Sequence, residues 1–310
     1  MDSAIRDHFR QLLIHQIAPT FRGGVPLAEQ RRFLDNMGNN LGNNPALPPG
    51  LVVRVGELAG RPCEWLQNPG HSDPHIFLYL HGGGYVMGSC AAYRALASRI
   101  GLACGIQAVV PEYRLAPEHP FPAGLDDAVA AYHALLASGH DPRRIIIGGD
   151  SPGGGLTLAT LLTLRDAGAP LPAAAVLLSP FTDLTCSGET LSTRAALEPW
   201  LNPTLFAPLV RLYAGNHDRA QPLLSPLFGD LRGLPPLLIH VGDHEVLLAD
   251  STRLAERARA AGVSVLLAVW PELWHVFQLF APALPEAQRS LDQIGAFVRA
   301  RLGLDQHPAT

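Results

Sequence analysis

Residues 145–156 read IIIGGDSPGGGL, an apolar run that enters a glycine-rich turn with one serine at its apex and leaves on a helical pattern. Gly149-Asp150-Ser151-Pro152-Gly153 fits G-x-S-x-G, whose flanking glycines permit the sharp strand-to-helix turn that lifts a hydroxyl clear of a sheet edge. Given a base within reach, such a serine is a nucleophile for acyl transfer. Upstream, LYLHGGGYVMG places His81-Gly82-Gly83-Gly84 directly after another apolar run. Consecutive glycines let main-chain N–H groups point at one spot, as stabilising an oxyanion requires, and Gly83 and Gly84 are the candidate donors. The usual further donor is the amide of the residue after the serine; here that residue is Pro152, which has no N–H. A glycine-rich turn without chemistry is the structural alternative. A phosphate-cradling loop is disfavoured because the Lys and Ser/Thr of a P-loop are absent.

An elbow of this kind has its partners in the chain order serine, acid, histidine. His275, in PELWHVF, follows the last strand-like run, VSVLLAVW, and is the only histidine there before the final helical pattern. The acid should stand just beyond PLLIHV, where GDHEVLLAD offers Asp243, Glu245 and Asp250. Chain order alone leaves the choice among them open. HEVLL opens like the zinc motif H-E-x-x-H but lacks its second histidine, and His71 and His75 flank Asp73-Pro74, a turn rather than a helix face. No metal and no organic cofactor is expected.

Two helical patterns come first: Ile5, Phe9, Leu12 and Leu13, then Pro26, Leu27, Leu34 and Met37, closed by Gly38. Short β-like runs follow at 51–57, 61–67 and 75–80. Strands at 106–110, 145–149, 173–179, 236–241 and 263–270 then alternate with helices. One helix starts at Pro122 with Leu125, Val129, Tyr132 and Leu136 on a face; others run from Pro152 to about Ala167, over 247–261 and over 285–303. Continuous apolar strands alternating with helices predict an α/β fold, a mostly parallel sheet of about eight strands covered on both faces. The interval 183–234 breaks the rhythm, is too long for an ordinary connection and carries Trp200, Phe206 and Tyr213, so it reads as an inserted lid. No linker divides the chain.

At 310 residues, 47% hydrophobic and 16% charged, the chain can bury a sizeable core. A net charge of −4 with scattered arginines excludes a nucleic-acid footprint. Charges interrupt the N-terminal apolar positions and no run reaches membrane-spanning length, so a cytoplasmic protein without stable membrane association is expected. Cys63, Cys90, Cys104 and Cys186 form no CxxC pair and read as reduced thiols.

His81-Gly82-Gly83-Gly84, YRLAPEHPFPA at 113–123, Gly149-Asp150-Ser151 and the His275 region, in this order, resemble the bacterial hormone-sensitive-lipase family (family IV) of α/β-hydrolase carboxylesterases. The resemblance runs from about residue 50 to the C-terminus. It implies an α/β-hydrolase core over 46–182 and 235–310, with residues 1–45 and the insertion 183–234 forming a helical cap. It implies a triad of Ser151, His275 and Glu245, because the family's acid precedes its histidine by about the 30 residues that separate Glu245 from His275; Asp243 is the alternative. It further implies a small-molecule partner, an ester of a short acid. Lactone or amide hydrolases would use the same residues. A non-catalytic ligand-binding protein on this fold typically lacks the histidine, which is present here. Whether the chain forms a homodimer is left open. Pro152 departs from the family's usual alanine. An elbow serine needs φ > 0 whereas a residue before proline is pushed toward extended angles, so Ser151 is expected to relax and aim its hydroxyl slightly off.

Overall fold

The structure is a computed structural model that describes residues 2–21, 23–37, 47–69 and 74–306. Gly38, His71, Asp73 and the 45/46 segment boundary lie outside the described residues. Eight strands form one sheet in the order β1-β2-β4-β3-β5-β6-β7-β8. They are β1 (Val52–Leu58), β2 (Arg61–Gln67), β3 (Ile76–Leu80), β4 (Gln107–Pro111), β5 (Ile145–Asp150), β6 (Ala174–Leu178), β7 (Leu237–Gly242) and β8 (Val265–Trp270). The β1-β2 and β2-β4 pairs are antiparallel and all others parallel. Every residue of β3, β5, β6 and β7 is buried. That is why these runs show no polar alternation: helices cover both faces.

The α-helices among the described residues are α1 (Asp2–Leu12), α2 (Ala18–Phe21), α3 (Leu27–Asp35), α4 (Cys90–Cys104), α5 (Ala123–Ala137), α6 (Pro152–Asp166), α7 (Thr190–Thr193), α8 (Phe206–Ala214), α9 (Leu248–Ala260) and α10 (Pro285–Leu302). The helix α4 is absent from the sequence expectations. Its buried residues include Tyr93, Leu96, Ala97, Ser98, Ile100 and Gly101, so they go round the helix, and a helix buried on most sides shows no single apolar stripe. Its ends are nonetheless marked: Ser89 Oγ accepts the Ala92 N–H at 3.1 Å, and Gly105 takes φ 73° past its last turn.

The N-terminal segment does not stand apart from this core. Phe9, Leu12, Leu13, Ile17 and Phe21 are buried, and Phe9 packs its ring 5.0 Å from that of Phe280, a few residues after His275. On α3, Arg31 donates to the carbonyls of Val86 and Ala116 at 2.7 and 2.9 Å and pairs with both Glu118 carboxylate oxygens. One guanidinium thus ties α3 to the glycine-loop region and to YRLAPEHPFPA. The insertion carries α7 and α8, but its first residues are core loop: Asp183 pairs with Arg253 of α9 at 2.9 Å.

Candidate active site

Ser151 sits between the last residue of β5 and the first of α6 with φ 53° and ψ −121°. The expected relaxation toward extended angles does not occur. Two hydrogen bonds over-determine the turn: Ser151 N–H donates to the Leu178 carbonyl at 2.8 Å, and its carbonyl accepts the Phe181 N–H at 2.8 Å. Its ψ also lies outside the helical range that a following proline forbids. The glycines of the motif are a spacing requirement, since a Cβ on Gly149 or Gly153 would stand 2.1 or 2.0 Å from the Leu80 carbonyl oxygen. Pro152 occupies the first helical position, where a missing N–H costs the helix nothing.

The structure brings Ser151, His275 and Glu245 into one line. His275 Nε2 lies 2.8 Å from Ser151 Oγ, and His275 Nδ1 lies 2.8 Å from Glu245 Oε2. His275 is 2% and Glu245 0% exposed, so the imidazole–carboxylate contact is shielded from water. The other carboxylate oxygen, Oε1, accepts the Gly242 N–H at 2.6 Å and the Ser179 hydroxyl at 2.9 Å. The remaining carboxylates of GDHEVLLAD are elsewhere. Asp243 is partly exposed and accepts the Glu272 N–H at 2.6 Å. Asp250 is buried, which pushes its carboxyl up to about 7, and it accepts the N–H groups of Thr182 and Asp183 at 2.7 and 2.9 Å.

Gly83 and Gly84 take φ 113° and 65°, and the Gly83 carbonyl accepts the N–H groups of Val86 and Met87, which curls the loop back on itself. Both glycines line the cavity onto which Ser151 opens. Asp150 holds the loop against the elbow. Its Oδ1 accepts the Gly82 N–H at 2.9 Å and the Tyr79 hydroxyl at 2.7 Å, and a Cβ on Gly82 would strike Oδ2 at 2.1 Å. Burial pushes the Asp150 carboxyl up to about 6, against these hydrogen bonds. His81 lies behind the loop, fully buried and stacked on Tyr113 at 4.3 Å, and burial lowers its pKa.

The cavity measures about 400 Å³. Val25, Leu27 and Leu34 of the N-terminal segment wall it, as do Trp200, Leu205, Phe206 and Leu209 of the insertion. Among the described residues no arginine or lysine lines it, and two of its ionisable side chains, Asp150 and His275, are engaged in the bonds just given.

A family model for the α/β hydrolase fold matches residues 77–279. The chain is 44% identical to an acetyl-hydrolase of Streptomyces hygroscopicus over 275 residues, 89% of this chain and 91% of that protein. It is 36% identical to an esterase of Acinetobacter venetianus, across 89% of each. An esterase from the bacterial hormone-sensitive lipase (HSL) family superposes with a TM-score of 0.92 at 43% identity, covering 97% of this chain and 99% of that one. The chain belongs to this family of α/β-hydrolase carboxylesterases. The structure of EstE5 soaked with p-nitrophenyl butyrate is similar as well, with a TM-score of 0.90 at 39% identity over 96% of this chain and 99% of that one.

Several residues of this carboxylesterase's site have no assigned role in the sequence reading. Asp150 stands inside G-x-S-x-G and was legible only as its variable position. Ser179, which directly follows β6 with φ 46°, holds Glu245 through its hydroxyl and accepts the Val276 N–H at 3.1 Å. Glu198 and Trp200 of the insertion reach the His275 main chain. Among the described residues no helix is long and apolar enough to cross a membrane.

Proposed function

We propose that this carboxylesterase cleaves neutral esters of short acids through Ser151, His275 and Glu245 by way of an acyl-enzyme. The observation that carries the reading is the pair of 2.8 Å contacts joining Ser151 Oγ, the imidazole and Glu245 at the wall of an apolar cavity. Neutral His275 takes the Ser151 proton on Nε2 as Oγ bonds to the ester carbonyl carbon. Glu245 accepts Nδ1–H, which keeps Nε2 free as the base and stabilises the imidazolium. The N–H groups of Gly83 and Gly84 receive the oxyanion, with no contribution from Pro152. Collapse breaks the bond to the alkoxide, which leaves as alcohol with the proton from Nε2. Water then attacks the acyl-enzyme with His275 as base again, and the acid leaves. No step calls on a metal or organic cofactor.

The lining supports the substrate class. The described lining is apolar and holds no arginine or lysine to pair a desolvated carboxylate or phosphate, so charged acyl chains are disfavoured. The acetyl-hydrolase and the butyrate-soaked esterase among the relatives point to the same chain lengths. The N-terminal segment and the insertion 183–234 together act as the cap, since described residues of both wall the cavity. The test is a hydrolysis screen across acyl length, amides and lactones. Short aryl and alkyl esters should give the highest kcat/KM, and Leu27→Ala or Leu209→Ala should shift the optimum toward longer chains by enlarging the cavity. A preference for lactones or amides would overturn the substrate assignment. An unchanged chain-length profile in both variants would remove the cap from the account of specificity.

A further inference from the structure

Glu198 lies in the insertion, outside the relay, and is 7% exposed. Each of its oxygens takes one main-chain amide: Oε1 accepts the Trp200 N–H and Oε2 the His275 N–H, both at 3.3 Å. The Trp200 indole N–H donates in turn to the His275 carbonyl at 3.2 Å, its ring 5.9 Å from the imidazole. Both main-chain polar groups of the base are therefore bonded to the insertion. The next residue gives independent reason for such a grip. Val276 is β-branched yet takes φ 48°, a conformation that persists only where surrounding contacts over-determine it. Phe21 of α2 packs edge-on against Trp200 at 6.2 Å, so the N-terminal segment braces the same indole.

We propose that Glu198 is a positioning residue for the catalytic base: with Trp200 it clamps the His275 main chain, so that the segment walling the cavity also aims the imidazole. The inference rests on the reading of His275 as the base. Its consequence is that the cap is part of the catalytic geometry as well as of substrate selection. Rearrangement of the insertion would then alter kcat and not binding alone.

The clamp also carries a charge that titrates. Burial raises the Glu198 carboxyl to about 8; His275, on the loop after β8, opposes the shift, and Glu245, after β7, reinforces it. On its own turn, Arg194 accepts the Glu198 N–H on its carbonyl. Below about pH 8 the carboxyl is neutral; above it the group ionises and adds a second negative charge facing His275. That charge favours the imidazolium formed in the transition state.

The experiment measures kcat and KM for p-nitrophenyl butyrate between about pH 6 and about pH 10 in the wild type, Glu198→Ala and Glu198→Gln. Glu198→Ala should lower kcat about tenfold or more and leave KM within about twofold, the signature of a misaimed group. Glu198→Gln should recover part of the loss, because its carbonyl can still accept one amide. The ratio of wild-type to Glu198→Gln kcat should rise as pH passes about 8. A wild-type kcat in Glu198→Ala, with any defect confined to its melting temperature, would overturn the proposal, as would a ratio flat across the pH range. Labelling by a serine-reactive phosphonate separates the two readings. A wild-type protein that takes no label sinks the catalytic assignment itself, whereas a labelled wild type with an unimpaired Glu198→Ala removes the positioning role alone.

Discussion

Glu245→Gln should lower kcat by about 10⁴ with little change in stability, the size of effect seen when the acid of such a triad becomes an amide. The direction follows from the partners of each oxygen. Oε1 faces two donors, the Gly242 N–H and the Ser179 hydroxyl. The glutamine carbonyl therefore stays there and its NH₂ turns toward His275 Nδ1. That donor forces the tautomer with the proton on Nε2, which cannot then take the Ser151 proton. Asp243→Asn should cost less than about tenfold, because an asparagine oxygen can still accept the Glu272 N–H and the residue does not touch His275. Paired measurements of kcat decide the matter. If the asparagine variant were the slower of the two, Glu245 would not be the acid.

Pro152→Ala should raise kcat, by several-fold at least and by at most the roughly 10²–10³ that one oxyanion donor is worth. The geometry narrows the cause. Ser151 keeps its strained φ of 53° and its 2.8 Å contact with His275, so the proline does not misdirect the nucleophile. What it removes is one N–H at the position where this fold otherwise supplies a donor. Stability should move the other way, down by about 0.4–1 kcal/mol, because alanine frees the unfolded chain while the helix gains no bond at its first position. The two readouts, kcat on an activated butyrate ester and the melting temperature, should thus change in opposite senses. An alanine variant that is equal or slower would show that the oxyanion is held without residue 152.

The residues that were legible in the sequence are those whose backbone demands are local. A serine flanked by glycines at a strand end and three consecutive glycines after another strand are required by turns, and turns write themselves into composition. The buried strands were equally plain, as continuous apolar runs bounded by helical periods. Glu245 was not separable from its neighbours by local pattern, because its role depends on which carboxylate faces a loop 30 residues later. Glu198 and Ser179 were illegible for the same reason: each acts through a contact made only when distant segments meet. The helix α4 escaped because burial on most sides erased its period. Ser151 is the instructive reversal, where a sound local rule about residues before proline yields to two main-chain bonds from β6 and the loop that follows it.

Stoichiometric labelling by a serine-reactive phosphonate, read by intact-protein and peptide mass spectrometry, tests the catalytic assignment most directly. A nucleophile activated by His275 and Glu245 should take one phosphonyl group per chain, located on Ser151, and Ser151→Ala should take none. A wild-type protein that stays unlabelled, or a Ser151→Ala variant that labels to the same extent, would contradict the account.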